Sequence, residues 1–477
     1  MAEVDRLGDL PDPVLALIFG KLPFKEGART TILGKRYRSI WPCSSNIELD
    51  EKAFTLDNKR HLLREDGRHS LAKGIKRTGR QAFVNHACRF FARYHEPKIR
   101  SFRLHFSKPR QYVSEVNNWI KFVAKRGIQE VEVDFMDNDK VGWDASGFNR
   151  GEFPHDVYEM CGSLHTLRLI CCEFQPHRFS TFTALRTLYI ERIDLNSDVL
   201  VVLMANSRFL KDLSLVEMKV TGLIKIIDKN QSLTTLYFRD CMSSNMGYII
   251  ETPKLNRFSY VGDLDDIEFG ELPSLEEVEF NFSTGAPFQP DGDVISNDLL
   301  PGVRYAKSLT VCSYFLQVVT SGVNKFQLQE PINGLRHLDL FSTELHQDEL
   351  PGVAFLLRSY IELETLIIEL GERTEIEDYE YPYETVLNGR AFWQSLHSQP
   401  FLCLQSHLKT VKIEGFSGEE NEVEFLRFLL EKSEVLEEIT VNILKGGSLP
   451  EIHQYIVAAQ RLRSFRKASP VVQIKIC

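Results

Sequence analysis

A six-residue pattern of apolar-x-x-apolar-x-apolar recurs along most of the chain. The last two apolar residues of each unit are two positions apart, so both side chains point to the same face of a short strand. The first lies at the strand entrance and also turns inward. Six regularly spaced units are Leu164-Leu167-Leu169, Leu185-Leu188-Ile190, Leu210-Leu213-Leu215, Leu233-Leu236-Phe238, Leu255-Phe258-Tyr260 and Leu275-Val278-Phe280.

These units begin 20 to 25 residues apart, inside the roughly 20–29 residue period of leucine-rich repeats. One unit cannot bury its apolar edge alone, so we expect an α/β solenoid in which neighbours stack into a curved parallel sheet. Ordinary amphipathic strands would instead need regular helical crossovers, which the irregular intervals do not offer. Further units are expected at Ile99-Phe102-Leu104, Ile128-Val131-Val133, Val323-Phe326-Leu328, Leu335-Leu338-Leu340, Leu363-Leu366-Ile368, Leu408-Val411-Ile413 and Leu436-Ile439-Val441.

The apolar spacing becomes helical over residues 6–41. Asp12 followed by Pro13 predicts a helix start with a carboxylate cap, and Leu22-Pro23 predicts the helix end. Two short helices are expected to follow, one over residues 24–33 and one through Arg36, Tyr37 and Trp41. A unit of roughly 40 residues is too small to be comfortable alone, so its exposed apolar residues predict an obligatory partner surface.

Charge divides the chain into a neutral head, a basic neck and an acidic body. Residues 59–110 hold 15 basic and 3 acidic side chains, and residues 111–477 hold 34 basic and 54 acidic ones, a net charge of −20. Such blocks bear on partners and not on the fold. We therefore expect a target protein with a basic patch. An acidic, tyrosine-rich stretch at 371–384 reads as a surface loop, for which a binding role stays open.

The neck allows two readings. Arginines interleaved with Phe90, Phe91 and Tyr94 would suit nucleic acid. Helical spacing of apolar residues favours instead a helix that covers the open end of the repeat sheet, and the acidic body argues against a continuous phosphate track. We favour the helix, and nucleic-acid binding is not expected. Its predicted buried face consists of Phe83, Val84, Ala87, Cys88 and Phe91.

Candidate catalytic or metal chemistry is sparse, so we predict no enzyme activity, cofactor or metal of this chain's own. The sequence contains no phosphate-binding loop, nucleophile elbow or paired C-x-x-C motif. The densest ligand-like cluster could in principle bind zinc, but the repeat pattern points Cys172 inward and His165 outward, which favours structural cysteines. That cluster consists of Cys161, His165, Cys171, Cys172 and His177.

Nine scattered cysteines do not form a disulfide framework, and the start MAEVDRLGDLPD is acidic where a secretory signal would be basic and then apolar. No apolar run approaches the roughly 18 residues of a membrane helix. We expect a protein of the nucleus, the cytoplasm or both.

The N-terminal segment resembles an F-box, the module that docks a substrate receptor on the Skp-type adaptor of a cullin ubiquitin ligase. The residues that carry the resemblance are Asp5-Arg6-Leu7, Leu10-Pro11-Asp12, Val14-Leu15, Ile18, Leu22-Pro23, Lys35-Arg36-Tyr37-Arg38 and Ile40-Trp41. Gly34 stands where serine is common and Tyr37 replaces the usual tryptophan, so we expect weaker docking. The resemblance implies the adaptor-binding residues Leu10, Pro11, Val14, Leu17, Ile18, Leu22, Pro23, Tyr37 and Trp41.

The C-terminal part resembles the FBD region of plant F-box/FBD/leucine-rich-repeat proteins. Matching positions are Cys403-Leu404, Leu408-Lys409-Thr410-Val411, Gly415-Phe416, Gly418 and Leu436, and Phe392-Trp393 resembles the aromatic pair that precedes that region. The resemblance implies five parts: the F-box at 1–45, a basic linker with a helical cap at 46–98, repeats at 99–370, the acidic insert at 371–401, and the FBD region with C-terminal repeats at 402–477.

The family implies a non-catalytic substrate-recognition subunit of a Skp-cullin-F-box ubiquitin ligase, which binds the adaptor through the F-box and a target through the repeats. A leucine-rich-repeat scaffold with a degenerate F-box stays open as an alternative. An enzyme with an unrecognised site is a third hypothesis, which no motif supports.

Overall fold

The structure, a computed structural model, describes most of the chain. The described residues are 7–22, 26, 29–30, 32–37, 45–52, 69–137, 151–244, 247–283, 292–323, 326–372, 376 and 388–477. The chain divides into two compact units, Met1–Lys219 and Val220–Cys477. The predicted acidic loop at 371–384 therefore lies outside the described residues, except for Gly371, Glu372 and Ile376.

Among its described residues, the first unit contains six parallel strands that neighbour one another in chain order in the main sheet. Their apolar residues align in register, so that Phe102, Val131, Leu167 and Leu188 form one continuous buried row. This row confirms the inward orientation that the six-residue pattern predicts, because alternate residues of a pleated strand face opposite sides. The strands are β1 Asn46–Asp50, β2 Ser101–His105, β3 Glu130–Asp134, β4 Thr166–Ile170, β5 Thr187–Glu191 and β6 Asp212–Val216.

Helix α1, Asp12–Lys21, precedes the first strand. Helices that lie between strands in the described part of this unit include α2 His69–Arg93, α3 Val113–Ala124 and α4 Ser197–Asn206. The 3₁₀ turns are Pro109–Gln111, His155–Met160 and Pro176–Thr181, and the shorter strands are Gly151–Glu152, Cys172–Glu173 and Asp194–Asn196.

Helix α2 differs from the prediction in its position. It follows β1, a strand that the six-residue pattern did not predict, and it leads into β2. It is therefore the crossover between two parallel strands and not a cover over the open end of the sheet. Its buried face also differs, because Cys88 is exposed and Phe90 is buried. The rings of Phe91 and Trp119 stack with centroids 6.3 Å apart, which joins α2 to α3.

The second unit contains nine further parallel strands, which are again neighbours in chain order. They are β7 Thr235–Arg239, β8 Arg257–Gly262, β9 Glu277–Phe282, β10 Ser308–Cys312, β11 His337–Thr343, β12 Thr365–Leu370, β13 Thr410–Phe416, β14 Glu438–Ile443 and β15 Gln473–Ile476. A smaller parallel sheet consists of Ile224–Ile227, Gly247–Glu251 and Asp266–Phe269. Two short strands are Lys219–Thr221 and Met242–Ser243.

One predicted repeat unit is wrong. Val323 is 83% exposed and Phe326 is 66% exposed, and neither residue lies in a strand. The strand of this repeat is β10, whose Leu309 and Val311 are buried. The first apolar position of the true unit is Ala306, a small residue that gives a weak signal in the pattern.

In the described residues of the second unit, seven helices accompany these nine strands. They are α5 Leu300–Gly302, α6 Ser313–Val318, α7 Leu350–Ser359, α8 Gly389–Ser395, α9 Leu402–Ser406, α10 Glu420–Lys432 and α11 Leu449–Arg461. A π-helical turn at Val294–Leu299 precedes α5, and a 3₁₀ turn at Leu462–Ser464 follows α11. Gly352 lets α7 approach α6, because a Cβ there would lie 2.0 Å from the carbonyl oxygen of Leu316.

Candidate functional site

The N-terminal head contains a small core of its own. Leu15 and Phe19 of α1 pack with Tyr37, and the rings of Phe19 and Tyr37 meet edge to face with centroids 5.6 Å apart. Leu10 and Ile18 are half-buried against this core. Such a core is too small to bury every apolar side chain of an apolar helix.

Several apolar side chains of the head remain exposed as a result. Leu17 of α1 is 69% exposed. In a turn further along the chain, Ile32 is 80% exposed and Leu33 is 68% exposed. Val14 and Leu22 are also exposed, at smaller fractions. We call these five residues, Val14, Leu17, Leu22, Ile32 and Leu33, the exposed head residues. Large exposed apolar side chains in a small unit are typical of a partner surface.

Arg36 holds the start of α1 in place. Its guanidinium donates to the Asp12 carboxylate at 2.7 Å and to the carbonyl oxygen of Leu10 at 2.5 Å, and it also donates to the carbonyl oxygen of Gly8. The predicted carboxylate cap is therefore wrong. Pro11 is the N-cap residue and makes no side-chain cap, while Asp12 lies in the first turn and pairs with Arg36.

The predicted adaptor-binding residues fall into three groups. Pro11, Val14, Leu17 and Leu22 are exposed, whereas Leu10, Ile18 and Tyr37 contribute to the head core. Pro23 and Trp41 lie outside the described residues. Sequence reasoning missed Ile32 and Leu33. Their signal was available, since two adjacent apolar residues after a short helix cannot both face the same small core.

Two departures from the F-box pattern have a structural reading. Tyr37 lies in the head core, so its ring acts first as a packing residue. A Cβ at Gly34 would lie 3.5 Å from Cδ2 of Tyr37, which is an ordinary van der Waals contact. Serine would therefore fit at Gly34 without displacing the tyrosine ring.

The aromatic residues of the neck are buried. Phe90, Phe91 and Tyr94 pack among one another, and Phe91 and Tyr94 also contact Phe122 of α3. These rings belong to the core and are not available for stacking on bases. The hypothesis that this segment binds nucleic acid therefore has no support from its aromatic residues.

The cysteine cluster is divided between the interior and the surface. Cys161, Cys171 and Cys172 are buried free thiols, while His165 and His177 are exposed. Burial raises the pKa of Cys161 to about 12 and raises that of Cys172 well above its ordinary value. Such thiols stay protonated and are poor metal ligands. Within the part of the chain that the structure describes, no three His, Cys, Asp or Glu side chains are placed to share a metal ion.

Comparison with known proteins decides the family. The family model described as "At1g61320/AtMIF1, LRR domain" matches residues 92–470. The chain belongs to this leucine-rich-repeat family.

Among the helices of the described residues, none has both the length and the apolar character needed to cross a bilayer.

Relatives from Arabidopsis thaliana resemble this leucine-rich-repeat chain along nearly its whole length. The putative F-box/LRR-repeat protein At1g56400 is 28% identical and covers 90% of this chain and 86% of its own length. The F-box protein At3g62230 is 26% identical, and the match covers 98% of this chain and 97% of the length of that protein. The F-box/FBD/LRR-repeat protein At1g13570 is 24% identical and covers 98% of each chain. The resemblance to plant F-box/FBD/leucine-rich-repeat proteins is confirmed.

Proposed function

We propose that the chain is the substrate-recognition subunit of a Skp-cullin-F-box ubiquitin ligase. The head would bind the Skp-type adaptor, and through it a cullin, while the repeats would bind a target protein. The observation that carries this proposal is the exposure of Leu17 and Ile32 on a head that has a core of its own. The names of the relatives, which include the term F-box, support the same assignment.

The energetics favour a partner on the head. Fully burying one leucine or isoleucine side chain is worth about 1.5–3 kcal/mol relative to leaving it exposed. A few such residues at the centre of an interface supply most of its binding energy. The exposed head residues are therefore sufficient in kind and number for a stable complex.

The proposed role requires no chemistry from this chain. A receptor that holds a target lysine near the charged conjugating enzyme raises its effective concentration, and the other subunits catalyse the transfer. We therefore propose a non-catalytic subunit. We also propose a nuclear or cytoplasmic location, or both, which the buried free cysteines support because such compartments keep thiols reduced. A fluorescent fusion would test the location.

The test is binding of the purified full chain to a recombinant Skp-type adaptor. Leu17→Ala with Ile32→Ala should weaken binding by about 30-fold or more, since both side chains are exposed and add little to the head core. A matched control, Val323→Ala with Leu449→Ala, removes two exposed apolar side chains elsewhere. It should bind as the parent chain does.

Leu10→Ala is not a clean test of docking, because Leu10 packs against the head core. If the parent chain does not bind the adaptor, the alternative takes over, namely a leucine-rich-repeat scaffold with a degenerate F-box. If the parent chain binds and the double variant binds equally well, the assignment of the exposed head residues is wrong.

A further inference from the structure

The solvent-facing side of β11, β12 and β13 combines acidic and apolar side chains. Asp339, Ile367 and Lys412 align in one row across the three strands. Glu369 is aligned with Phe341 on one side and Glu414 on the other. These residues are half-buried or exposed, because they alternate with the buried row. We call the six of them the mixed face: Asp339, Phe341, Ile367, Glu369, Lys412 and Glu414.

Several charged residues elsewhere on this side of the second unit form ion pairs. Arg257 pairs with Glu277, and Lys475 pairs with Glu438, each at 2.5 Å. Within the mixed face, Lys412 pairs with Glu414 at 2.5 Å.

Two carboxylates of the mixed face differ from these pairs. Asp339 and Glu369 form no ion pair or hydrogen bond with a side chain among the described residues, and Oδ1 of Asp339 is a buried acceptor without a partner. Leaving a partly buried acceptor without a hydrogen bond costs free energy, and this cost falls when a donor reaches the acceptor.

The electrostatic environment of Asp339 favours binding of a cation at this face. Partial burial and then the negative charge of Glu369 raise the pKa of Asp339 to about 6, with Glu279 adding to the effect and Lys412 opposing it. The nearby lysine is thus insufficient to neutralise the carboxylates around it. An added cation would find a negative potential that is partly shielded from water.

The apolar members make this face more than a cluster of acids. In the row of Ile367, β10 carries Thr310 and β14 carries Thr440. In the row of Phe341, β10 carries Cys312 and β14 carries Asn442. Strand pairing is also irregular immediately beyond this face, where the register shifts after Phe341 and after Glu414. Such irregularities redirect side chains and are frequent next to binding sites.

We propose that the mixed face binds a segment of the target protein in which a lysine or arginine stands next to an apolar residue. The basic side chain would lie between Asp339 and Glu369, and its apolar neighbour would contact Ile367 and Phe341. Neighbouring strands lie about 4.8 Å apart and alternate residues of a parallel strand about 6.6 Å apart, so one long basic side chain reaches both carboxylates. This inference rests on the proposed function only in naming the target as the source of the segment.

Other ligand classes fit less well. A phosphate backbone would be repelled by the carboxylates. A small inorganic cation would leave Ile367 and Phe341 without a role, and the described residues hold no three-ligand group for a metal. A peptide segment satisfies the charged and the apolar residues together.

The experiment uses a displayed library of random 12-residue peptides selected on the full chain. Enriched peptides are synthesised, and their dissociation constants are measured by fluorescence anisotropy. We expect enrichment of lysine or arginine beside apolar residues, and a loss of about 10- to 100-fold in affinity for Asp339→Asn with Glu369→Gln. The control Glu330→Gln with Glu434→Gln makes the same change of charge at exposed positions elsewhere in the second unit. It should bind as the parent chain does.

Several outcomes would overturn the proposal: failure to enrich basic peptides, equal affinity for both double variants, or equal losses in both. Ile367→Ser tests the apolar part and should weaken the same peptides without changing their dependence on salt. Each variant is compared with the parent chain by thermal unfolding. Adaptor binding is measured in parallel and should be unchanged in all of them, so that loss of the docking function and loss of this surface are told apart.

Discussion

The indole of Trp393 stacks on the ring of Phe428, with centroids 4.5 Å apart and planes inclined by 28°. Phe425 contacts the same indole at 4.9 Å, and Trp393 is only 3% exposed. This contact ties α8 to α10 within the second unit. The aromatic pair that precedes the FBD region in the sequence is thus joined to the helix of that region by packing.

Replacing this indole should destabilise the second unit strongly. We expect Trp393→Ala to lower its free energy of unfolding by about 3–5 kcal/mol, because a large buried aromatic side chain leaves a cavity between two phenylalanines. Trp393→Phe keeps a ring and should cost clearly less. Urea unfolding followed by circular dichroism measures both. A cost below about 1 kcal/mol for the alanine variant would show that α8 does not contribute to the cooperative core.

Glu349 should make the stability of the second unit depend on pH. Burial raises the pKa of this carboxyl to about 6, against hydrogen bonds from Ser313 and from the backbone of His346. The folded state therefore holds the proton more tightly than the unfolded state, whose ordinary value is 4.5. Its stabilising contribution is complete below pH 4.5 and is lost as the pH rises through 6.

The matching measurement compares Glu349→Gln with the parent chain at pH 4 and pH 7.5. Glutamine does not titrate, so the variant should gain about 2 kcal/mol relative to the parent between the two pH values. Asp265 and Asp339 also have a pKa raised to about 6. Both residues are present in the variant and in the parent chain, so their effects on stability cancel in the difference between the two proteins. A difference that stays constant with pH would contradict the assignment.

The sequence predicted the repeats well because their signal is periodic. Inward residues such as Leu167 and Leu188 follow from strand geometry alone. The strand β10 was missed because its unit opens with a small residue, Ala306, and β1 was missed because it stands alone before a long helix. Which residues of α1 are exposed could not be predicted, since α1 is apolar on every side and only the packing of Tyr37 decides its inner face.

Arg36 and Asp12 should differ in importance although they form one ion pair. An exposed pair is worth about 1 kcal/mol or less, so Asp12→Asn should accelerate hydrogen exchange of α1 amides by no more than about 5-fold. Arg36→Ala also removes the donors to the carbonyl oxygens of Gly8 and Leu10 and should accelerate it by about 5- to 30-fold. Arg36→Lys should be intermediate, because an ammonium lacks the planar fork. Equal effects of Asp12→Asn and Arg36→Ala would mean that the backbone contacts contribute nothing.

The two positions that depart from the F-box pattern are Tyr37 and Gly34. Substitution should affect adaptor binding strongly at Tyr37 and only weakly at Gly34. Tyr37→Ala removes a ring from a core of few residues, so we expect it to abolish both the exchange protection of α1 and adaptor binding, whereas Tyr37→Trp should keep both. Gly34→Ser adds a side chain whose Cβ meets only an ordinary contact, so adaptor affinity should stay within about 3-fold of the parent chain. Hydrogen exchange and adaptor titration, measured on the same samples, separate folding from docking. If Tyr37→Ala lost adaptor binding while α1 kept its protection, the ring would contact the adaptor directly and its place in the head core would not explain its role.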